Sequence, residues 1–182
     1  ATSGDACVLV ASATVATCWA TSNARPAPLD IRSSQTTGMT TTPDPDSKHG
    51  TVLSLGEALV EFMPPVGQTM REAATWEKFA GGGPATYAAA MVRFGRPSAL
   101  LSRVGADPFS QYMLDELTRE GVDTSQIVHT ADHQIGLCFH ECIEGRTQLI
   151  FHRLNSAATI LSPDDLDTDL IASAAALHVA GT

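Results

Sequence analysis

The run of three glycines at positions 81–83 constrains the fold of this chain more than any other feature. It is followed by Pro84 and then by an apolar stretch, residues 87–94, that stops at Gly95. Glycines let a backbone approach a ligand closely, and the following helix presents unpaired N–H groups and the positive end of its dipole. No Gly-Lys-Ser/Thr follows, so the run is not a nucleotide P-loop. The residues alone leave a flexible turn and a ligand-binding loop equally open.

The elements on either side of the glycine run predict a parallel α/β fold. A buried strand ends at Gly56 before the run, and a second strand, residues 99–104, follows the first helix. Asp107 caps the next helix at its N-terminus, and Gly121 ends it. Strand, glycine loop, helix, strand and helix in this order favour a parallel sheet with flanking helices.

The second half of the chain predicts a hairpin, a further helix and a further strand. Residues 134–154 alternate as two strands around a turn at Glu144-Gly145-Arg146, and we expect this hairpin to lie outside the parallel sheet. Ser162 with Asp165 predicts a helix start, and residues 177–180 predict another sheet strand. Four apolar side chains of the hairpin are expected to share one face: Leu137, Phe139, Leu149 and Phe151.

Composition and charge exclude several classes of partner. The chain has 182 residues with 11 Lys and Arg against 20 Asp and Glu, a net charge of −9, so nucleic acid is not an expected partner. No stretch approaches the about 20 apolar residues that span a bilayer. The four cysteines have no metal-binding spacing, and Cys138 and Cys142 would lie roughly 13 Å apart on one strand, beyond disulfide reach. We therefore expect thiols in a reducing, cytoplasmic compartment and no metal ligands.

Residues 1–50 differ in amino-acid composition from the rest of the chain. They are rich in Ala, Thr, Ser and Pro and show no sustained periodicity, which predicts a disordered leader before a folded part at 51–182. Met39 precedes the most polar run of this segment. One hypothesis is that Met39 is the true start of the protein.

Several separated motifs in residues 51–182 resemble the ribokinase-like (PfkB) carbohydrate kinases. The resemblance implies a three-layer α/β sandwich with a small β lid, formed here near 60–80 and 134–154, and it covers the N-terminal half or less of such a kinase. The motifs are Gly56-Glu57-Ala58-Leu59-Val60-Glu61, Gly81-Gly82 through Phe94-Gly95, Val104-Gly105-Ala106-Asp107-Pro108-Phe109, and Leu117 through Gly121-Val122-Asp123.

Within this family, the segment 151–158 is most similar to 2-keto-3-deoxygluconate kinases, in which an aromatic-x-Arg pair faces the sugar acid. The resemblance implies these substrate-binding residues: Glu61, Gly81, Gly82, Thr86, Cys138, Phe151 and Arg153. A planar guanidinium suits a carboxylate because it can donate two parallel hydrogen bonds. Thr86 stands where the family commonly has Asn, and Cys138 and Phe151 stand where these kinases often have tyrosines. A fructokinase or another sugar kinase therefore remains the alternative.

The implied reaction is phosphoryl transfer from ATP with Mg²⁺ to a sugar hydroxyl. In this family the catalytic base and the anion site come from a Gly-Ala-Gly-Asp motif, which does not occur here. Asp107 is expected to cap a helix, so we assign no catalytic residue and expect the chain by itself to be inactive. A non-catalytic fragment is the rival interpretation. The lid implies a homodimer as the expected assembly.

Overall fold

The structure is a computed structural model that describes residues 7–12 and 50–181. Its strands are β1 (Cys7–Ser12), β2 (Val52–Leu55), β3 (Leu59–Met63), β4 (Glu77–Gly81), β5 (Ser98–Val104), β6 (Ile127–His129), β7 (Gly136–Ile143), β8 (Arg146–His152) and β9 (Ala176–Gly181). Its helices are α1 (Gly83–Arg93), α2 (Pro108–Arg119) and α3 (Thr168–Ser173), with short 3-10 turns at Ala157–Ile160 and Pro163–Asp165.

The main sheet is parallel and has the strand order β1-β9-β2-β5-β6. Helices cover both faces of this sheet, as two successive residues of β5 show. Leu100 packs with Ala88 of α1 and Met113 of α2, whereas Leu101, on the opposite face, packs with Leu170 and Ile171 of α3. Parallel sheets need such cover because their strands are apolar on both sides. The predicted parallel α/β fold is confirmed.

The predicted helix start at Ser162, capped reciprocally with Asp165, is confirmed, but the helix that follows it is a short 3-10 helix rather than an α-helix. The segment there forms only a 3-10 turn, in which Asp165 accepts a hydrogen bond from the Ser162 N–H at 2.8 Å. Asp165 also pairs with Arg103 of β5, which fixes the turn against the sheet. The α-helix begins afterwards at Thr168, where Asp167 caps the N–H groups of Asp169 and Leu170.

A second sheet has the order β4-β3-β7-β8, with β3 and β7 parallel and the other pairs antiparallel. Its strands come from the two segments assigned above to a lid. One face carries Val60, Phe62 and Leu137, which join the core formed by α1 and α2. Phe62 also contacts Phe109 of α2 edge to face, with ring centroids 5.4 Å apart. The domain boundaries at 50 and 51 remain a prediction.

The hairpin β7–β8 has a different register from the predicted one. Ile143 pairs with Arg146, so the turn contains only Glu144 and Gly145, both with positive φ. Leu137 and Phe139 then lie opposite His152 and Ile150, whereas the predicted turn would place them opposite Arg153 and Phe151. A one-residue difference moves every side chain to the other face of a strand. The expected single apolar face is therefore wrong, and Leu149 and Phe151 lie on the face away from the core.

Residues Cys7–Ser12 form β1, which pairs in parallel with β9 from Cys7 opposite Ala176 to Ser12 opposite Gly181. The sequence predicts a disordered leader here. These six residues form a strand instead, because the edge of β9 offers unpaired backbone groups. The other leader residues, including Met39, lie outside the described residues. Within the described part of the chain, no helix is long and apolar enough to cross a membrane.

Candidate functional site

Four side chains form a row across the outer face of the second sheet. Glu61 lies opposite Phe79 of β4 and opposite Cys138 of β7, and Cys138 lies opposite Phe151 of β8. Residues paired directly across strands share a face and lie about 5 Å apart. Phe79 and Phe151, at the two ends of the row, are 41% and 45% exposed, so this face is open to a ligand.

Gly81 ends β4 beside the carboxylate of Glu61. A Cβ built on Gly81 would collide with the Oε1, Cδ and Cγ atoms of Glu61, so only glycine leaves room for this side chain. The other carboxylate oxygen of Glu61 lies 3.9 Å from Nε2 of His140. That nitrogen is buried and has no hydrogen-bond partner. Glu61 and His140 together offer an acceptor and an imidazole nitrogen at one point of the row.

Cys138 is a buried free thiol in the middle of the row. Burial, together with the nearby carboxylates of Glu61 and Glu57, raises the pKa of Cys138 to about 11 against the opposing effect of Arg153. The thiol is therefore neutral at physiological pH. Cys142, in contrast, is disulfide-bonded, so the prediction of a thiol is wrong there. The spacing argument excluded only Cys138 as its partner.

Arg153 follows β8 directly and lies above the ring of Phe151, with 4.6 Å from Cζ to the ring centroid. Its Nη1 donates a hydrogen bond of 2.7 Å to Oε2 of Glu57. The Arg153 side chain is 34% exposed and that of Glu57 only 10%. The guanidinium is thus held at one end by a buried carboxylate and remains partly accessible at the face that carries the row.

The glycine loop joins the second sheet to α1. Gly82 is the N-cap of α1 with φ 94°, and a Cβ there would lie 2.5 Å from the carbonyl oxygen of Glu57. Positive φ and this close approach both require glycine. Thr86 is exposed in the first turn of α1, where its N–H donates to Gly82 O at 2.9 Å. No contact described for Thr86 joins its side chain to the row.

Two residues at the site were missed by the sequence interpretation: Glu57 and His140. Glu57 lies within the matching motif at 56–61 but was given no role, and the available signal was its acidic side chain directly after Gly56. His140 was likewise given no role. Its position two residues after Cys138 on a strand was the signal, since that spacing puts both on one face.

His178 has a structural role. It is buried on β9, and its ring stacks on that of Tyr87 of α1 at 3.9 Å between centroids. The hydroxyl of Ser54 donates to the carbonyl of Pro84 at 2.9 Å, so Nδ1 of His178, also 2.9 Å away, donates to that hydroxyl. Burial lowers the pKa of His178. The neutral ring ties β9 and β2 to the start of α1.

Asp107 is confirmed as a helix cap. Its Oδ1 accepts hydrogen bonds from the N–H groups of Phe109 and Ser110, and its Oδ2 accepts from Ile135 N–H at 3.0 Å. Burial raises the pKa of Asp107, but hydrogen bonds from Ser110, Ile135 and Phe109 outweigh it and bring the pKa below its ordinary value. These bonds also fix the segment that leads into β7.

Two further features of the described residues bear on ligands. A cavity of about 350 Å³ lies between residues 131–135 and 152–156, lined by groups such as His133 and Asn155. It does not include the residues of the row. Among the residues described, no group of three or more His, Cys, Asp or Glu side chains is placed to hold a metal ion.

The architecture described above is that of the ribokinase-like sugar kinases, of which this chain contains a part. The family model for pfkB family carbohydrate kinases matches residues 50–182. The chain therefore belongs to the pfkB family of carbohydrate kinases.

Individual relatives agree with this assignment. A 2-dehydro-3-deoxygluconokinase of Thermoproteus tenax is 33% identical over 133 residues, which are 71% of this chain and 41% of that protein. A fructokinase of Solanum tuberosum is 35% identical over 131 residues, again 71% and 41%. The crystal structure of an uncharacterized sugar kinase from Pyrococcus horikoshii in complex with ATP has a TM-score of 0.66 at 28% identity and covers 70% of this chain and 42% of that one.

The chain spans about two fifths of the length of these relatives. The relatives carry different substrate names, one a sugar acid and the other a sugar, at nearly equal identity. The comparisons thus support a sugar kinase without choosing between these two substrate classes.

Proposed function

We propose that this chain supplies the sugar-binding and lid part of an ATP-dependent sugar kinase, with a keto sugar acid of the 2-keto-3-deoxygluconate kind as its first ligand. The observation that carries the proposal is the position of Arg153, partly exposed beside Phe151 at the end of the row that contains Glu61 and Cys138. A guanidinium next to a hydroxyl-binding carboxylate is the combination that a sugar acid needs.

In this proposal each residue of the site has a physical task. Arg153 donates to the carboxylate of the ligand, and Glu61 accepts hydrogen bonds from its hydroxyls. Gly81 and Gly82 bring the backbone close, because a side chain would displace the carboxylate of Glu61 at the first position and collide with the backbone of Glu57 at the second. Phe79 and Phe151 supply apolar surface at the ends of the row. Thr86 completes the proposed set from the first turn of α1.

A neutral sugar of the fructose type is the second candidate, and the charge of the site favours it. The site contains two carboxylates, Glu57 and Glu61, and one guanidinium, and the Cys138 thiol adds no charge because its pKa is raised to about 11. The surplus negative charge opposes a second carboxylate. The fructokinase of Solanum tuberosum, at 35% identity, agrees with this alternative.

Phosphoryl transfer would require more than the described residues supply. ATP with Mg²⁺ would provide the transferred group and the charge stabilisation, but no cluster of ligands for the metal is present among these residues. Asp107 is engaged as a helix cap, so it is not available as the base. We therefore propose that the chain has no turnover by itself.

We also propose that the second sheet mediates homodimer formation. β8 is an edge strand, and Leu149, Ile150 and Phe151 are each more than 40% exposed on it. Exposed edges with apolar side chains pair readily with another strand. Light scattering after size exclusion tests the assembly. A monomer at every concentration from about 1 µM to about 100 µM would contradict it.

Calorimetric titration of the chain with 2-keto-3-deoxygluconate and with fructose tests the proposed site. Replacing Arg153 by Ala removes charge-assisted hydrogen bonds and should weaken binding of the acid by about 10- to 100-fold. Arg146→Ala is the matched control, because Arg146 is exposed at the start of the same strand. Equal losses for both variants, or binding of neither ligand, would contradict the proposal. An ATP-coupled assay of the chain should show no turnover above background.

A further inference from the structure

Glu57 lies at the junction of the two sheets, between β2 of the main sheet and β3 of the second. Its side chain is only 10% exposed although it carries a charge. Oε2 accepts the hydrogen bond from Arg153 Nη1 at 2.7 Å, whereas Oε1 is buried with no hydrogen-bond partner. A buried carboxylate is costly unless it is paired, and Arg153 is the partner that this carboxylate has.

Gly136 of β7 makes room for this ion pair. A Cβ on Gly136 would lie 2.8 Å from Glu57 Oε1 and 3.2 Å from Arg153 Cβ. Gly82 accommodates the backbone of Glu57, since a Cβ there would lie 2.5 Å from the carbonyl oxygen of Glu57. The pair therefore fits into a space that β7 leaves open by presenting bare backbone at Gly136.

The contact to Glu57 also determines which part of Arg153 can meet a ligand. A guanidinium has five N–H donors in one plane. With Nη1 directed to Glu57, the edge formed by Nε and Nη2 offers the two parallel donors that a carboxylate requires. Stacking above Phe151 at 4.6 Å restrains the plane itself.

We propose that Glu57 is a positioning residue that acts on the ligand through Arg153, a role that rests on the proposed sugar-binding function. Glu57 holds one end of the guanidinium and leaves the opposite edge directed to the ligand. The negative charge of Glu57 also offsets part of the positive charge of Arg153. The affinity for an acid is therefore lower than it would be with an unpaired arginine. Glu57→Gln keeps an acceptor and removes the offset, whereas Glu57→Ala removes both.

A double-mutant cycle on the 182-residue chain separates this role from a merely structural one. Calorimetry with 2-keto-3-deoxygluconate measures Kd for the wild type, Glu57→Ala, Arg153→Ala and the double variant, with exposed Asp164→Ala as a control. We expect Glu57→Ala to weaken binding about tenfold alone, as for one charge-assisted hydrogen bond, and less than twofold when Arg153 is already absent. Equal factors in both backgrounds, or no effect in the wild type, would overturn the proposal.

The restraint on Arg153 can be measured without a ligand. In ¹⁵N NMR spectra, a guanidinium held at Nη1 gives separate Nη resonances because rotation about the Cζ–N bonds is slow. We expect separate resonances for Arg153 in the wild type and in Glu57→Gln, and one averaged resonance in Glu57→Ala. Averaged resonances in the wild type would overturn the proposal even if the ligand binds.

The two measurements also distinguish this proposal from the proposed function. If the wild type binds neither sugar nor sugar acid, the proposed function fails, and the NMR comparison still decides whether Glu57 restrains Arg153. If a thermal melt shows that Glu57→Ala is already unfolded at the assay temperature, Glu57→Gln replaces it in the cycle with Arg153→Ala. The amide preserves the volume of the carboxylate, so this variant should fold. In that cycle we expect Glu57→Gln to strengthen binding of the acid about threefold, and only while Arg153 is present. Unchanged binding there would overturn the proposal.

Discussion

The carboxylate of Glu61 fills the space that a side chain on Gly81 would occupy. This relationship joins the middle of β3 to the end of β4, where the glycine loop begins. It explains in physical terms why the first of the three glycines is needed, although its φ is not positive. The glycine provides volume for an acidic side chain rather than conformational freedom.

Gly81→Ala should therefore destabilise the protein and weaken sugar binding. We expect a loss of about 1–3 kcal/mol in the free energy of unfolding, because the added methyl group forces Glu61 out of its position. Chemical denaturation measures this loss. In the background of Glu61→Ala the same change should cost less than half as much, since the colliding atoms are absent. An equal cost in both backgrounds would mean that the collision is with other groups.

The two-residue turn at Glu144-Gly145 predicts that Glu144→Asn stabilises the protein. Glu144 has φ 50° and Gly145 φ 77°, and Asn tolerates the left-handed conformation better than Glu does. We expect a gain of about 0.5 kcal/mol, measured as a higher unfolding midpoint. Gly145→Ala should lower the midpoint in the same assay. If the turn instead contained three residues, from Glu144 to Arg146, Asn at position 144 would give no gain in stability. That result would contradict the two-residue turn.

This turn also shows how far the sequence alone could predict the structure. The alternation of residues 134–154 indicated two strands and their location, because periodicity is local. It could not fix the register, which depends on the φ angles of two turn residues, and a one-residue difference put Leu149 and Phe151 on the face away from the core instead of beside Leu137. The helix cap at Asp107 was predictable because all its partners but Ile135 lie within three residues.

The candidate site was predictable only through the family resemblance. Glu61, Cys138, Phe151 and Arg153 are spread over more than 90 positions, and their association depends on the order of four strands. The pairing of Arg153 with Glu57 adds a contact between residues 96 positions apart. Neither spacing nor composition contains that information.

Asp107 should make stability depend on acid pH. Its pKa is below the ordinary value in the folded protein, so its contribution is complete above the unfolded pKa of about 4 and is lost as the pH falls through the folded pKa. Asp107→Asn should lower stability at pH 7 by about 1 kcal/mol and should lose less stability than the wild type below pH 4. Denaturation curves from pH 2.5 to 7 check this, with Asp164→Asn as the control. Parallel pH profiles for all three proteins would contradict the assignment.

Cys138 should react very slowly with alkylating reagents in the native protein. With a pKa of about 11 and an exposure of 2%, it has little thiolate at pH 8 and little access to reagent. We expect alkylation by iodoacetamide to be at least about 100-fold slower than in guanidinium-unfolded protein. Peptide mapping by mass spectrometry assigns the rate to Cys138. Similar rates in the two states would show that the middle of the row is open.

Mapping of sugar binding by NMR is the most direct test of the proposed site. Backbone ¹H–¹⁵N spectra of the chain, titrated with 2-keto-3-deoxygluconate and separately with fructose, report which residues respond. The account predicts saturable shifts at Glu61, Gly81, Cys138, Phe151 and Arg153 with at least one of the two ligands. Shifts confined to residues that line the separate cavity, such as His133 and Asn155, or no shifts at millimolar concentrations of either ligand, would contradict it.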